Sequence, residues 1–274
     1  MVLALLFGLS LCKVDLVTVV EGDLPIILSA PHGGTQPVPG CALRKDKTRP
    51  QFATVVDTRA DRLVALTRDE LFLLTGKRPW LVTAQFARTY IDANRPAEDA
   101  YEDPAAKPYY DAYHSALRHA VDSVKHGLLV DVHGQGGEKD GIYRGTRQGE
   151  SMSYAKKQFG YEAFACIPDF LAHHGYRMIP SGADEKETKF DGGYIVDHYG
   201  SHHQDGIDAL QLEFGPSFRT PDRIEQTAKD LAAAIAAYYR KYLAKTTLVS
   251  LLISHSHAKS HLHPRPGHGL ASPF

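Results

Sequence analysis

The chain has 274 residues, 43% hydrophobic and 23% charged, within the range of ordinary globular proteins, and could bury one large core or two smaller ones. Lysine and arginine (31) balance aspartate and glutamate (32), so the formal net charge is -1. No global field therefore favours nucleic acid or an anionic membrane, and neither is expected as a partner. Three cysteines without CxxC spacing argue against a disulfide framework and a thiolate zinc site.

The two ends of the chain differ in composition from the rest. Residues 1–13 are apolar enough for part of a secretory signal, but they lack a basic start and a clean cleavage site. A buried start is the alternative, which leaves localisation open between the cytoplasm and export. Residues 246–274 combine a short apolar patch with Ser, Pro and His, which favours a disordered tail. We expect residues 14–245 to form a single domain.

Hydrophobic patterning predicts alternating strands and helices along this domain. Strands are expected at 14–20 and 25–30, as a hairpin-like pair, and at 80–83, 128–132, 176–179 and 209–214. Helices are expected at 57–75, 108–125, 161–174 and 221–243, the first with Asp57 and Thr58 at its N-cap. Residues 35–54, 135–150 and the histidine-rich 192–203 are predicted loops. The alternation indicates an α/β fold with parallel strands.

Two of the predicted strands end in the same way, with a histidine followed by glycine. His32 follows one strand and His133 ends another, and parallel strands end at the same edge of a sheet. Catalytic zinc sites commonly use two histidines and one carboxylate. We therefore expect one Zn²⁺ ion here, with the glycines letting the backbone approach the ion or its ligand. A structural, hydrogen-bonded histidine is the alternative for each position taken alone.

The third ligand should be an acid near the same edge. Asp57 meets this condition, with Asp61 one turn later as the second candidate, and a helix N-cap is the alternative role for Asp57. Asp131 lies two residues before His133 and so points to the same face of the strand. It could orient the imidazole, or it could itself be the ligand.

Further polar residues near the predicted strand ends suit catalysis. Glu213 stands between Leu212 and Phe214, where a charged carboxylate is costly unless it is paired or faces a metal cleft. We expect it to be the general base, with a solvated edge strand as the alternative. Arg88, Asn94 and Arg95 follow another strand, where arginine suits recognition of a substrate carboxylate. Surface salt bridges are their alternative role.

Taken together, six blocks resemble the N-formylglutamate amidohydrolase family. They span residues 24–215 in the family's order and are Ser-Ala-Pro-His32-Gly-Gly, Asp57-Thr-Arg-Ala-Asp61-Arg-Leu, Arg88-Thr-Tyr-Ile-Asp92-Ala-Asn94-Arg95-Pro, Asp131-Val-His133-Gly, Gly192-Gly193-Tyr194 and Leu210-Gln211-Leu212-Glu213. The resemblance implies a zinc-carboxypeptidase-like fold, a three-layer α/β/α sandwich around a mixed, mainly parallel sheet.

The same resemblance implies roles for particular residues. His32, His133 and Asp57 or Asp61 would bind zinc, and Glu213 would be the base. Arg88, Asn94 and Arg95 would bind the substrate carboxylate or polarise the scissile carbonyl. Of these, Arg95 is expected to be catalytic, and Arg88 and Asn94 to bind the substrate. Tyr194 would bind the substrate from the wall of the pocket.

The implied activity is zinc-dependent hydrolysis of the amide bond of an N-acyl amino acid such as N-formylglutamate, a small carboxylate-bearing substrate. The apolar start, the histidine-rich tail and residues 215–218 depart from the family's pattern, and no loop signature selects one substrate. The same site acting on a peptide, a poly-γ-glutamate chain, an ester or a lactone is therefore a second hypothesis. A non-catalytic metal- or ligand-binding protein is the third.

Overall fold

The computed structural model describes residues 16–182 and 184–244, so the predictions for residues 1–13 and 246–274 lie outside the described residues. Seven strands form one mixed sheet in the order β1-β3-β2-β4-β7-β5-β6. The strands are β1 (Val17–Val20), β2 (Ile26–Ala30), β3 (Trp80–Ala84), β4 (Leu128–Gly134), β5 (Gly141–Gly145), β6 (Arg177–Ile179) and β7 (Asp208–Phe214). The four central strands β3, β2, β4 and β7 run parallel, whereas β1 and β5 pair antiparallel to their inner neighbours.

Helices cover both faces of this sheet. They are α1 (Ala60–Thr75), α2 (Ala97–Ala100), α3 (Lys107–Val124), α4 (Ser153–Phe159), α5 (Tyr161–His173), α6 (Tyr194–Tyr199) and α7 (Ile224–Tyr238), the last continued by a π-helical turn, Tyr239–Leu243. One apolar core lies under α1, α4, α5 and α7, and a second under α2, α3 and α6. The predicted α/β/α sandwich is confirmed. None of the helices within the described ranges is long and apolar enough to cross a membrane.

Alternation along the central strands places the polar residues of interest on one face. In β4, Leu128, Val130 and Val132 belong to the core under α1 and α7, while Leu129 belongs to the other core. Successive side chains of a strand point to opposite faces, so Asp131 and His133 share the face of Leu129. Both therefore lie on the α3 and α6 side of the sheet, at the C-terminal end of β4.

Two predictions about the first elements are wrong. The first and second strands do not form a hairpin, because β1 pairs with β3 at the edge and β2 lies fully buried between β3 and β4. The first helix starts at Ala60, and its N-cap is Arg59 in a left-handed conformation with no side-chain capping bond. Asp57 is therefore not the N-cap, and its carboxylate is directed elsewhere.

Two predicted loops contain regular structure. Residues 135–150 include β5, a short strand whose glycines at both ends weaken its pattern. Residues 192–203 include α6, which buries Ile195, Val196 and Tyr199 against the second core. In both cases tertiary packing decides the local structure, since neither segment is long enough to show a clear period.

Asp208, at the start of β7, predicts a pH-dependent stability. Its carboxylate is buried and accepts hydrogen bonds from Ser201 Oγ at 2.6 Å and Ala155 N–H at 3.2 Å. Burial raises its pKa to about 6, although these hydrogen bonds act in the opposite direction. A raised carboxyl pKa means that the folded state binds the proton more tightly than the unfolded state does. The contribution of Asp208 to the free energy of unfolding is therefore fully present below its ordinary pKa and is lost as the pH rises towards 6.

Replacing Asp208→Asn keeps a carbonyl acceptor and removes the buried charge. We expect the variant to match the wild type near pH 4 and to exceed it by on the order of 2–3 kcal/mol at pH 7.5. Urea unfolding at both pH values measures this difference, with Asp205→Asn, whose side chain is 73% exposed, as the control. An advantage of Asp208→Asn that is equal at the two pH values would contradict the prediction.

Candidate metal centre

Three buried side chains meet beyond the C-terminal ends of β2 and β4. His32 follows β2, His133 is in β4, and Asp57 lies in the loop before α1; their exposed fractions are 1%, 1% and 6%. His32 Nδ1 lies 3.2 Å from His133 Nδ1, and Asp57 Oδ2 lies 3.4 Å and 3.1 Å from these two nitrogens. Within the described residues this is the one cluster of His, Cys, Asp and Glu with the spacing of a metal site.

The dimensions of this triangle fit a tetrahedral metal ion. Zinc bonds of about 2.0–2.1 Å to nitrogen and oxygen separate tetrahedral ligand atoms by about 3.3–3.4 Å. The observed separations of 3.1 to 3.4 Å are close to that value. Two histidines and one carboxylate are also the donor set of many catalytic zinc sites, which keep a further coordination position open.

Each imidazole is held from behind by a second carboxylate. His32 Nε2 lies 2.7 Å from Asp92 Oδ1, and His133 Nε2 lies 2.8 Å from Asp131 Oδ2. A carboxylate accepts an N–H from its partner, so this geometry assigns the proton to both Nε2 atoms and leaves both Nδ1 lone pairs facing the triangle. Two lone pairs facing each other would repel unless a cation lies between them, either a metal ion or, in its absence, a proton shared with Asp57.

The two supporting carboxylates have different partners of their own. Asp131 accepts a hydrogen bond from Ser29 Oγ. Asp92 Oδ2 accepts a hydrogen bond from Arg88 Nε at 2.9 Å and lies 2.9 Å from Arg88 Nη2 in an ion pair. Asp131 thus lies on the Nε2 side of His133, away from the triangle. This is the position of an orienting residue and not of a ligand, the two roles that the sequence left open.

Asp57, and not Asp61, joins the triangle. Besides approaching the two imidazoles, Asp57 Oδ2 accepts the Gly134 N–H at 3.1 Å. Asp61 instead packs against the backbone of Gly33, where an added Cβ would lie 2.6 Å from the Asp61 Cβ. A Cβ on Gly134 would overlap the guanidinium of Arg219. The glycines after the two histidines therefore make room for protein side chains, and the backbone of Gly134 also closely approaches Asp57, one of the ligand candidates.

Charged neighbours shift the pKa values of the side chains at the centre. Burial disfavours the charged imidazolium of His133, but Asp131 and Glu213 outweigh this and hold its pKa well above the usual value. Burial would raise the pKa of Asp57, yet hydrogen bonds from the two histidines lower it strongly. The pKa of Asp92 is also lowered against its burial, by His32 and Arg88. The carboxylates therefore favour positive charge at the position of the two imidazoles.

Glu213 lies beside the triangle. It is in β7 opposite His133 in β4, its carboxylate is 6% exposed, and its Oε1 is 4.0 Å from His133 Nδ1. Gln211 Nε2 donates to the same oxygen at 3.0 Å. Desolvation raises the pKa of Glu213, and the nearby His133 limits the increase. The solvated-edge alternative is excluded because β7 lies between β4 and β5.

The segment after β3 delivers Arg88, Asn94 and Arg95 near the centre. Arg88 binds Asp92, and its Nη1 is 3.8 Å from Asp57 Oδ1, so it faces the centre and not the bulk solvent. Asn94 is buried, and its Oδ1 accepts the Ile195 N–H at 2.8 Å. Arg95 donates to the Asn94 carbonyl at 2.6 Å, and its buried Nε has no hydrogen-bond partner in the described part of the chain.

Tyr194 is the first residue of α6. The N–H of the preceding residue, Gly193, donates to Gln211 Oε1 at 2.8 Å. The Tyr194 ring stacks on His198, with 4.9 Å between centroids, and makes an edge contact with His114 at 5.5 Å. These contacts run to α3 and α6. The described contacts of Tyr194 therefore do not join it to the three ligand candidates.

Sequence reasoning missed several residues that support the centre: Ser29, Asp92, Gln211 and Arg219. Asp92 lies within one of the six blocks of sequence given above. Its position four residues after Arg88 was the signal that could have indicated an ion pair between the two. Arg219 had no comparable signal, because it lies after β7 in an ordinary turn, Pro216–Arg219.

Comparison with solved structures finds this fold in an N-formylglutamate amidohydrolase from Ralstonia eutropha JMP134, with 16% identity and a TM-score of 0.55 over 82% of this chain and 99% of that one. The predicted fold is confirmed by this likeness, which at such identity concerns the fold alone.

Two further structures align more loosely, at TM-scores too low to bear on the fold. The CwlD amidase from Clostridioides difficile, solved in complex with the GerS lipoprotein, has 16% identity and a TM-score of 0.41 over 81% of this chain and 99% of that one. An N-acetylmuramoyl-L-alanine amidase from Clostridium difficile 630 has 14% identity and a TM-score of 0.39 over 80% and 96%. No protein-family profile and no curated protein sequence matches the chain.

Proposed function

We propose that this protein is a zinc-dependent amidohydrolase that cleaves the amide bond of an N-acyl amino acid such as N-formylglutamate. The observation that carries the proposal is the buried triangle of His32 Nδ1, His133 Nδ1 and Asp57 Oδ2 with the Glu213 carboxylate beside it. The shared fold with an N-formylglutamate amidohydrolase supports the same reaction class.

His32, Asp57 and His133 would hold the ion. A bound Zn²⁺ supplies a Lewis acid that makes water more acidic and polarises a carbonyl. The protein's own part is to keep both imidazoles in the tautomer that presents Nδ1, which Asp92 and Asp131 do through the Nε2 atoms.

Glu213 is proposed to take the proton of the attacking water and to return it to the leaving amine. General bases work within hydrogen-bond reach of the proton that they abstract. Glu213 Oε1 lies 4.0 Å from His133 Nδ1, so this carboxylate borders the proposed metal site. Gln211 Nε2 donates a 3.0 Å hydrogen bond to the same oxygen and thereby keeps the carboxylate in place.

The arginine-bearing segment is proposed to bind the acidic part of the substrate. Arg95 is the candidate for stabilising the developing oxyanion, because its buried Nε has no hydrogen-bond partner among the described residues. Arg88 and Asn94 are proposed to border the substrate's carboxylate and amide, with Tyr194 on the wall of the pocket. An arginine binds a carboxylate with two parallel hydrogen bonds and stays charged when buried.

The test combines metal analysis with a substrate panel. We expect the purified protein to contain zinc in a 1:1 ratio and to hydrolyse N-formyl-L-glutamate faster than N-formyl-L-leucine or N-formylglycinamide, which lack one or both carboxylates. A chelator should abolish hydrolysis and added Zn²⁺ should restore it. Full activity after complete removal of the metal would overturn the proposal, and so would a metal-loaded protein that hydrolyses no N-acyl amino acid.

A further inference from the structure

Arg219 is a buried arginine next to the candidate centre, and none of the roles assigned above uses it. It ends the turn that follows β7, and 7% of its surface is exposed. Its Nε donates to the Phe214 carbonyl at 3.1 Å and its Nη2 to the Gln135 carbonyl at 3.3 Å, while Nη1 donates to the Thr58 carbonyl. All three guanidinium nitrogens thus donate hydrogen bonds to backbone carbonyl oxygens.

The three acceptors share one property. Phe214 directly follows Glu213, Thr58 directly follows Asp57, and Gln135 lies two residues after His133. One guanidinium therefore joins the segments that carry the proposed base and two of the three ligand candidates.

The remaining ligand candidate is tied to the same group indirectly. The Asp57 N–H donates to the His32 carbonyl at 3.0 Å. All four side chains of the proposed centre are thus connected to Arg219 through the backbone, although they come from four separate segments of the chain.

We propose that Arg219 is a positioning residue that sets the distances between Asp57, His133 and Glu213, and thereby the affinity of the centre for its metal ion. The inference rests on the proposed function, since it assumes that the triangle binds metal. A guanidinium is planar and its donors point in fixed directions, so it can hold three carbonyls at once. A metal site tolerates errors in ligand distance of only about 0.2 Å.

Gly134 supports this inference independently. A Cβ at this position would overlap the Arg219 guanidinium, so the residue after His133 must lack a side chain for the arginine to reach Gln135 and Thr58. The backbone of Gly134 is not in the left-handed region that would itself demand glycine. The glycine and the arginine therefore form one packing arrangement.

The experiment measures the Kd for Zn²⁺ by competition with a chromophoric chelator, a readout that does not depend on catalysis. Arg219→Lys retains the positive charge but has its donors on one nitrogen, which cannot reach the three separated carbonyls together, and Arg219→Met removes the charge as well. We expect both to weaken Zn²⁺ binding about 10- to 100-fold while circular dichroism shows a folded protein. The control is Arg223→Met, an exposed arginine that packs over Phe218, and it should bind Zn²⁺ like the wild type. Unchanged affinity in folded Arg219→Lys would overturn the inference.

Gly134→Ala disturbs the same contact without removing the arginine, so it tests the inference even if the Arg219 variants fold poorly, and a double-mutant cycle extends the test where Arg219→Met folds. Gly134→Ala alone should displace the guanidinium and weaken Zn²⁺ binding at least tenfold, but it should add little in an Arg219→Met background. Equal effects in both backgrounds, or no effect in either, would overturn the inference. A wild-type protein that binds no Zn²⁺ would instead contradict the proposed function, so the two failures can be told apart.

Discussion

Glu213→Gln is expected to lower kcat by about 10²- to 10⁴-fold while the protein retains its zinc. Glutamine has nearly the same size and can still interact with Gln211, but it cannot accept the proton of the attacking water. The Glu213 carboxylate lies beside the ligand triangle, 4.0 Å from His133 Nδ1, and is not one of the three clustered ligand atoms. Metal content and steady-state kinetics with N-formyl-L-glutamate measure the two expectations separately.

A suitable control for this variant is Glu138→Gln. Glu138 lies in the turn between β4 and β5, is 39% exposed and pairs with Arg177 at the surface. Its replacement removes the same charge near the same edge of the sheet and should leave kcat unchanged. If Glu213→Gln hydrolyses the substrate at the wild-type rate, Glu213 is not the base; if it loses zinc, Glu213 is a ligand.

Arg144→Met is expected to destabilise the fold by about 3–5 kcal/mol. Arg144 and Glu187 form a buried ion pair at 2.8 Å, with exposed fractions of 1% and 2%. Glu187 also accepts from Thr146 N–H at 2.9 Å, Thr146 Oγ1 at 2.6 Å and Gln148 N–H at 3.0 Å. Without the arginine, a buried carboxylate would remain that these neutral donors only partly compensate. For a domain of this size we expect Tm to fall by about 10 °C in a calorimetric scan.

Two further variants separate burial from charge loss in this prediction. Arg177→Met breaks the exposed pair with Glu138, which is 2.9 Å long, and should cost less than about 1 kcal/mol. Adding Glu187→Gln to Arg144→Met removes the uncompensated charge and should recover part of the lost stability. A double variant less stable than Arg144→Met alone would show that the hydrogen bonds of Glu187, and not its charge, dominate.

The sequence by itself determined the elements whose signals are local. The apolar runs before His32 and His133 predicted β2 and β4, and the two-residue spacing of Asp131 and His133 placed both on one face, because strand side chains alternate. Glu213 within an apolar run predicted a buried carboxylate, and burial of β7 on both faces agrees. These inferences depend on a few consecutive residues, so no tertiary information was needed.

Only the tertiary structure decided which polar groups meet. Asp57 and Asp61 are four residues apart and chemically identical side chains, and the choice between them depends on where α1 begins and on the packing of Asp61 against Gly33. The contact between His32 and Asp92 spans 60 residues, and the bond from Arg219 to Thr58 spans 161. Such contacts arise from strand order, because parallel strands distant in sequence end side by side, and no local pattern encodes that order.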